Sequence, residues 1–69
     1  MEGDVIVQFV IDTTGRADMK TFKVLKSDHE LFTASVRQVL PSVRFFPAEI
    51  GGRKVKVIVQ QPFEFKLGS

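Results

Sequence analysis

Hydrophobic and polar residues alternate over two long segments, one near each end of the chain. In residues 4–11, four apolar side chains share one face: Val5, Val7, Phe9 and Ile11. In residues 55–67, every odd-numbered residue is apolar apart from Gln61. A period of two is typical of a β-strand with one buried face. The pattern therefore predicts a first strand at residues 4–11 and a long last strand at residues 55–67.

The length of the last strand is unusual for so small a protein. At roughly 3.3 Å per residue an unbroken strand would span about 40 Å, whereas an ordinary strand spans roughly 17–20 Å. A chain of 69 residues is expected to have difficulty pairing such a strand along its whole length. We therefore expect part of this strand to meet something outside its own fold.

A turn and a second strand are predicted after the first strand. The segment Asp12-Thr13-Thr14-Gly15 has turn chemistry, because Asp and Thr bond the local backbone and Gly15 tolerates positive φ. Residues 16–26 then predict an antiparallel strand whose inner face carries Phe22 and Val24. Met19 and Leu25 are out of phase with these two residues, which predicts a bulge near Lys20 or Thr21.

A single helix is predicted between the second and last strands. Ser27 and Glu30 have the spacing of a capping box, so we expect the helix to span about residues 28–40 with Ser27 as its cap. Its apolar stripe has the spacing i, i+4, i+7, i+8 and consists of Phe32, Val36, Val39 and Leu40. Pro41 should end or kink the helix. Beyond it, residues 44–48 are predicted to be extended, with a turn at Gly51-Gly52.

These elements predict one α+β domain over residues 1–69, a two-layer sandwich of order β-β-α-β. Its three-stranded antiparallel sheet has one helix on one face, and the last strand is a long edge strand. The predicted core is Val7, Phe9, Ile11, Phe22, Val24, Phe32, Val36, Val39, Leu40, Val57, Val59 and Phe63.

The composition of the chain argues against several functions and against two common ways of stabilising a small domain. The chain has no cysteine and one histidine, His29, so disulfides are excluded and a structural zinc site nearly so. His29 is expected to be a solvated residue, and no catalytic constellation, cofactor or metal site is predicted. The net charge of +2 is too small to indicate a nucleic-acid partner. Oligomerisation or a bound strand is the remaining way to stabilise so small a domain.

The last strand is the predicted binding surface, because an exposed strand edge accepts a further strand through its backbone groups. The candidate partner-binding residues are Val57, Val59, Gln60, Gln61, Phe63, Phe65 and Arg44. Proline at position 59 is expected to abolish such pairing. For Arg44, beside two phenylalanines, a role in recognition and a plain solvated position both stay open.

Two features of the last strand affect which partner it could take. Lys54, Lys56 and Lys66 would either block unwanted pairing or select an acidic partner. Pro62 lacks a backbone donor and so marks a break in pairing.

Four short motifs, taken in order, resemble the C-terminal domain of the TonB energy-transducing proteins. They are Asp12-Thr13-Thr14-Gly15-Arg16, Val24-Leu25-Lys26-Ser27, Val43-Arg44-Phe45-Phe46-Pro47-Ala48, and the alternating strand from Val55 to Phe65. The third motif departs from the family at Val43, where members have Trp. The resemblance covers about residues 3–65.

The resemblance implies a periplasmic, non-enzymatic domain that binds segments of outer-membrane nutrient receptors, including siderophore and cobalamin receptors, by strand addition. In the family, an N-terminal helix anchors the full-length protein in the inner membrane, whose proton-driven complex supplies the energy. We expect this chain to be a soluble fragment excised from such a protein, without the anchor and the upstream Tyr-Pro element.

A second hypothesis makes the domain a structural module with no transport role. Two copies would pair through the last strand as a strand-paired or intertwined homodimer, which would supply the burial that a small chain lacks.

Overall fold

Three long strands and one helix make up most of the computed structural model, which describes residues 2–66. The strands form an antiparallel sheet in the order β2–β1–β5, and a short hairpin forms a second sheet. The elements are β1 (Glu2–Ile11), β2 (Ala17–Ser27), α1 (Glu30–Val39), a 3₁₀ turn (Leu40–Ser42), β3 (Ala48–Ile50), β4 (Arg53–Val55) and β5 (Val57–Lys66). The predicted α+β class and three-stranded sheet are confirmed; the β3–β4 hairpin was not predicted.

Strand β1 lies at the centre of the sheet, and its odd-numbered side chains form the middle of the core. Val5, Val7 and Phe9 are completely buried and Ile11 is nearly so. Helix α1 and the 3₁₀ turn after it cover this face with three buried side chains, Phe32 and Val36 from the helix and Leu40 from the turn. Burying a large apolar side chain stabilises a fold by about 1.5–3 kcal/mol. These seven residues therefore carry much of the stability of the domain.

The predicted core needs two corrections. Val39 is 55% exposed rather than buried, because the helix packs over β1 and β2 and turns this side chain toward the uncovered side of β5. Val5, which was left out of the predicted core, is fully buried. The remaining predicted residues are either buried or pack in part against the buried cluster.

The helix begins later than predicted, and its cap is a different residue. His29 is the N-cap, and its Nδ1 accepts a hydrogen bond from the backbone N–H of Leu31 at 3.0 Å. Ser27 instead ends β2, where its hydroxyl donates to the carbonyl of His29 at 2.9 Å. His29 is thus a structural cap rather than a merely solvated residue. Pro41 ends the α-helix as predicted, since the chain continues as a 3₁₀ turn.

The predicted bulge in β2 is confirmed. The pairing of β1 with β2 shifts register between Gln8 and Val10, opposite residues 19–22. The hydroxyl of Thr21 takes the place of a backbone carbonyl there, accepting the N–H of Val10 at 2.8 Å. A second shift, between Ile6 and Val7, was not predicted, and it leaves Leu25 43% exposed.

The predicted long last strand is divided in two. Residues 53–55 pair with β3 in the hairpin, and the chain leaves regular strand geometry at Lys56 before β5 begins at Val57. The expectation that the chain would have difficulty pairing this strand along its whole length was wrong for β5, which pairs with β1 from Glu2 with Lys66 to Ile11 with Val57. Leu67, the last residue of the predicted strand, lies outside the described residues.

The turn between β1 and β2 is built around the side chain of Asp12. Its Oδ1 accepts hydrogen bonds from the backbone N–H of Thr14 (2.9 Å) and Arg16 (3.1 Å) and from the Thr14 hydroxyl (2.6 Å). Gly15 then takes a φ of 85°, and its carbonyl accepts the N–H of Phe45 at 2.8 Å. The turn therefore holds the extended segment that follows the helix against the end of the sheet.

Two glycines with similar positive φ provide a matched test of this contact. A Cβ at Gly15 (φ 85°) would overlap the Phe45 carbonyl oxygen, whereas a Cβ at Gly52 (φ 79°) would meet nothing within 4 Å. We expect Gly52→Ala to cost roughly 1–2 kcal/mol of unfolding free energy through backbone strain alone. Gly15→Ala should cost about 1–3 kcal/mol more through overpacking. Equal losses in urea unfolding would show that the Gly15–Phe45 contact contributes nothing.

Candidate partner-binding edge

The outer edge of β5 is the side of the main sheet that could accept another strand. Strand β5 pairs with β1 on one side, and within residues 2–66 no strand pairs with its other side. The ladder between β5 and β1 runs through ten register pairs without a shift. A straight edge of this length presents a regular row of backbone donors and acceptors.

Hydrogen bonds from β1 reveal which residues of β5 face that edge. Asp4 donates its N–H to Asp28 Oδ2 (2.7 Å), and Val10 donates to Thr21 Oγ1 on β2 (2.8 Å). Even-numbered residues of β1 therefore turn their backbone toward β2. Because successive residues point to opposite sides of a strand, the odd-numbered residues of β1 bond to β5.

The register then fixes the orientation of β5. Odd-numbered residues of β1 lie opposite odd-numbered residues of β5, as in the pair Phe9 and Val59. The backbone groups directed to the outer edge are consequently those of Ile58, Gln60, Pro62, Glu64 and Lys66.

This orientation decides which of two predicted site residues, Val59 or Gln60, has its backbone N–H on the free edge. The N–H of Val59 faces β1, so proline there would break the internal ladder and could not test the edge. Gln60 can test the edge, because its N–H faces outward. Its side-chain Nε2 donates to Gln8 Oε1 on the outer face of the sheet at 3.3 Å.

Pro62 interrupts the outer edge, as the sequence indicated. It is one of the outward-facing residues, so the donor that proline lacks is missing from the free edge and not from the ladder with β1. The neighbouring Gln61 donates from its Nε2 to the carbonyl of Pro62 at 3.2 Å. At this one position the edge has no donor, and its acceptor already has a partner.

The other predicted residues of β5 lie on its inner face. Val57, Val59, Gln61, Phe63 and Phe65 are all half-buried, and the four apolar ones pack against the buried cluster. The ring of Phe65 stacks on that of Phe32 with centroids 4.7 Å apart and planes within 4°. This stack joins the helix to the edge strand.

An apolar groove of about 180 Å³ lies between helix α1 and the edge strand. It exists because α1 packs over β1 and β2 and leaves the inner face of β5 partly uncovered. The groove is lined by Ser35, Val36, Val39, Leu40, Val43, Phe63 and Phe65. Side chains on the inner face of a strand added to β5 would lie directly beside Phe63 and Phe65, at the mouth of this groove.

The opposite edge of the sheet is poorly suited to pairing. Strand β2 carries exposed Lys20, Lys23 and Lys26, and its ladder with β1 shifts register twice. Bulges and lysines are common devices that protect an edge strand from further pairing. The two edges of the main sheet therefore differ, and within residues 2–66 only β5 combines a regular ladder with an adjoining apolar groove.

A family model described as the Gram-negative bacterial TonB protein C-terminal matches residues 1–67. The chain belongs to this TonB C-terminal family. It is accordingly a TonB-like energy-transduction domain, from a non-enzymatic family that acts in the periplasm and interacts with outer-membrane receptors. A search of curated proteins finds no match to the chain.

Among residues 2–66, no helix has the length and apolar character needed to cross a membrane.

Two motifs that carried the resemblance meet at one end of this TonB C-terminal domain. Arg16 and Arg44 form an isolated antiparallel bridge, next to the hydrogen bond between Gly15 and Phe45. The ring of Phe45 then packs against Phe9 with centroids 5.4 Å apart. Backbone pairing and the packing of Phe45 therefore hold the two motifs together. Arg44 itself is exposed beside the β1–β2 turn. Its role in binding stays a prediction.

Exposed apolar residues around the short hairpin were missed by the sequence reasoning. Phe46 is 98% exposed, and Ile50 and Ile58 are also largely exposed. The signal available in the sequence was the Gly51-Gly52 pair, whose φ angles of 58° and 79° suit a two-residue hairpin turn. Short strands on each side of it could have been predicted from that pair.

The Asp12 turn gives a pH-dependent prediction. The hydrogen bond from the Thr14 hydroxyl lowers the pKa of Asp12, and the backbone N–H of Arg16 lowers it further. A lowered folded-state pKa stabilises the fold above the unfolded value of about 3.9, and this stability is lost as pH falls through the folded pKa. Asp12→Asn keeps the acceptor but loses the charge, so we expect it to melt below the parent at pH 7.

We expect the difference in melting temperature between Asp12→Asn and the parent to narrow as the pH falls below about 4. Glu49→Gln, which removes a negative charge from the exposed strand β3, is the control for net charge. A difference between Asp12→Asn and the parent that stays constant down to pH 2 would contradict the role of the carboxylate.

Proposed function

We propose that this TonB C-terminal domain binds an extended segment of an outer-membrane receptor by β-strand addition to the outer edge of β5. Binding of this kind would couple inner-membrane energy to nutrient import, including siderophore uptake. The observation that carries the proposal is the row of outward backbone groups at Ile58, Gln60, Glu64 and Lys66, which no strand within residues 2–66 occupies.

The groove beside β5 supplies a basis for selectivity. Odd-numbered residues of β5 bond to β1, so in a newly added ladder they would form the non-hydrogen-bonded pairs, whose Cβ atoms lie closest together. Partner side chains opposite Phe63 and Phe65 would thus approach the apolar groove of Val36, Val39 and Leu40. Backbone bonds would give affinity, and apolar residues at alternate positions of the partner would give selectivity.

Charge at the start of β5 favours an acidic residue in the partner. Arg53, Lys54 and Lys56 are exposed and immediately precede or interrupt the strand, with Glu49 opposite Lys54 in the hairpin. A carboxylate near this end of the partner would increase the association rate and fix the register of the added strand.

The direct test is an NMR titration of the ¹⁵N-labelled domain with ten-residue peptides from the N-terminal segments of outer-membrane receptors. We expect the largest amide shifts at Ile58, Gln60, Glu64 and Lys66, whose N–H groups face outward, and small shifts along β2. Shifts concentrated on β2, or no shifts with any peptide, would contradict strand addition at β5.

Gln60→Pro is the variant that isolates the edge. It removes one outward N–H and leaves the ladder with β1 intact. Pro62, two residues further along, shows that an outward-facing position of β5 accepts proline. Because one net hydrogen bond contributes about 0.5–1.5 kcal/mol, and the ring obstructs the edge as well, we expect peptide affinity to fall about tenfold. Gln60→Thr keeps the N–H and should bind within about twofold of the parent. Equal binding by all three proteins would rule out backbone pairing at this position.

Val39→Gln tests the groove and has a control on the same helix. Val39 lines the groove and is 55% exposed, whereas Leu31 is 62% exposed and is not part of the groove lining. Both changes place a polar side chain of good helix propensity at an exposed position, so the stability of the two variants should be similar. We expect Val39→Gln to weaken binding of an apolar peptide about three- to tenfold and Leu31→Gln to leave it unchanged. Equal effects would remove the groove from the binding surface.

A further inference from the structure

The outer edge of β5 is available in principle to two kinds of strand: a segment of a different chain, or β5 of a second copy. Both would use the same outward backbone groups. The two kinds differ in one respect, because a pair of identical strands contains the interruption at Pro62 twice. This difference rests on the function proposed above and concerns the choice of partner at the same site.

The interruption at Pro62 consists of one missing backbone donor. The residue has no N–H, and its outward position puts that missing donor on the free edge rather than against β1. Its carbonyl accepts a hydrogen bond from Gln61 Nε2 at 3.2 Å, and its second lone pair can still accept the N–H of an added strand. Free backbone donors thus remain at Ile58 and Gln60 on one side, and at Glu64 and Lys66 on the other.

We propose that Pro62 makes the β5 edge select a single strand from a different chain over a second copy of β5. An added foreign strand meets the gap once and loses one hydrogen bond. In a two-fold pair of β5 strands each copy contributes its own Pro62, so any register that runs the length of the strand loses two. Only registers confined to residues 58–60 or 64–66 avoid the gap, and these make very short ladders.

The expected change in each association constant follows from the free energy of one hydrogen bond. A single net bond changes an equilibrium constant by about 2–13-fold, so two bonds change it by roughly 5–150-fold. The effect of Pro62 on self-association should therefore be about the square of its effect on binding a foreign strand. Pro62 thus protects this edge from pairing, as the lysines and bulges protect β2. It weakens pairing with a second copy of β5 more than pairing with a strand of a different chain.

Pro62→Val restores the missing donor and is the variant that tests this inference. Position 62 faces away from β1, so its internal ladder is unchanged and the variant should melt within a few degrees of the parent. Gln60→Val is the matched control, because it places the same apolar side chain on the same exposed face but adds no N–H. Dimer association constants are measured by sedimentation equilibrium for the parent and both variants.

We expect Pro62→Val to strengthen self-association at least about fivefold and Gln60→Val to change it less than about threefold. Equal strengthening by both variants would mean that apolar surface, and not the donor, controls pairing. An unchanged constant for Pro62→Val would overturn the inference outright.

The receptor peptide that gives the largest shifts in the NMR titration supplies the second arm of the test. Its affinity for Pro62→Val should rise by about the square root of the gain in self-association, and a gain as large as that for self-association would overturn the proposed selectivity. If no receptor peptide binds the parent or the variant, the proposed function fails. The sedimentation result would still decide whether Pro62 opposes pairing between copies of β5.

Discussion

The fold depends on the position of β1 between two partners. Both of its edges are paired, with β2 on one side and β5 on the other, and its odd-numbered side chains are the most buried in the domain. A strand in this position has no freedom of register, because a shift by one residue would move Val5, Val7 and Phe9 from the core to the solvent face. The register between β1 and β5 fixes which backbone groups of β5 face outward.

The same constraint explains the arrangement of the helix. Helix α1 packs over β1 and β2, where the buried side chains of β1 are. What it leaves uncovered is the inner face of β5, with Phe63 and Phe65 half-buried beside Val39. The groove and the unpaired edge therefore adjoin the same strand, β5.

Much of the fold follows from patterns that can be read in the chain. The alternation in β1 and β5, the bulge near Thr21 and the end of the helix at Pro41 all reflect local chemistry or a single periodicity, and all were predicted. The helix cap was misjudged because Ser27 and His29 can both serve, and only the end of β2 decides between them. Val39 was misplaced because helical periodicity identifies an apolar face but not which part of that face is covered.

The site was harder to predict than the fold. Alternation identified which side chains of β5 face the core, but not which backbone groups face the unpaired edge. That second assignment depends on which strand lies next to β5 and in what register, and the pairing of residues far apart in the chain determines both. Pro62 could be recognised as an interruption from the sequence, whereas its place on the free edge could not.

The direction of the strands would have a mechanical consequence for a strand added at β5 as proposed above. Glu2, where β1 begins, lies opposite Lys66, where the described part of β5 ends. A load applied at Glu2 along β1, opposed by a load on a strand held along β5, would act parallel to the strands. The hydrogen bonds between them would then bear the load together, in shear, instead of opening one after another from an end. The strength of such a connection under load would then depend on the whole row of hydrogen bonds and not on its end bond alone.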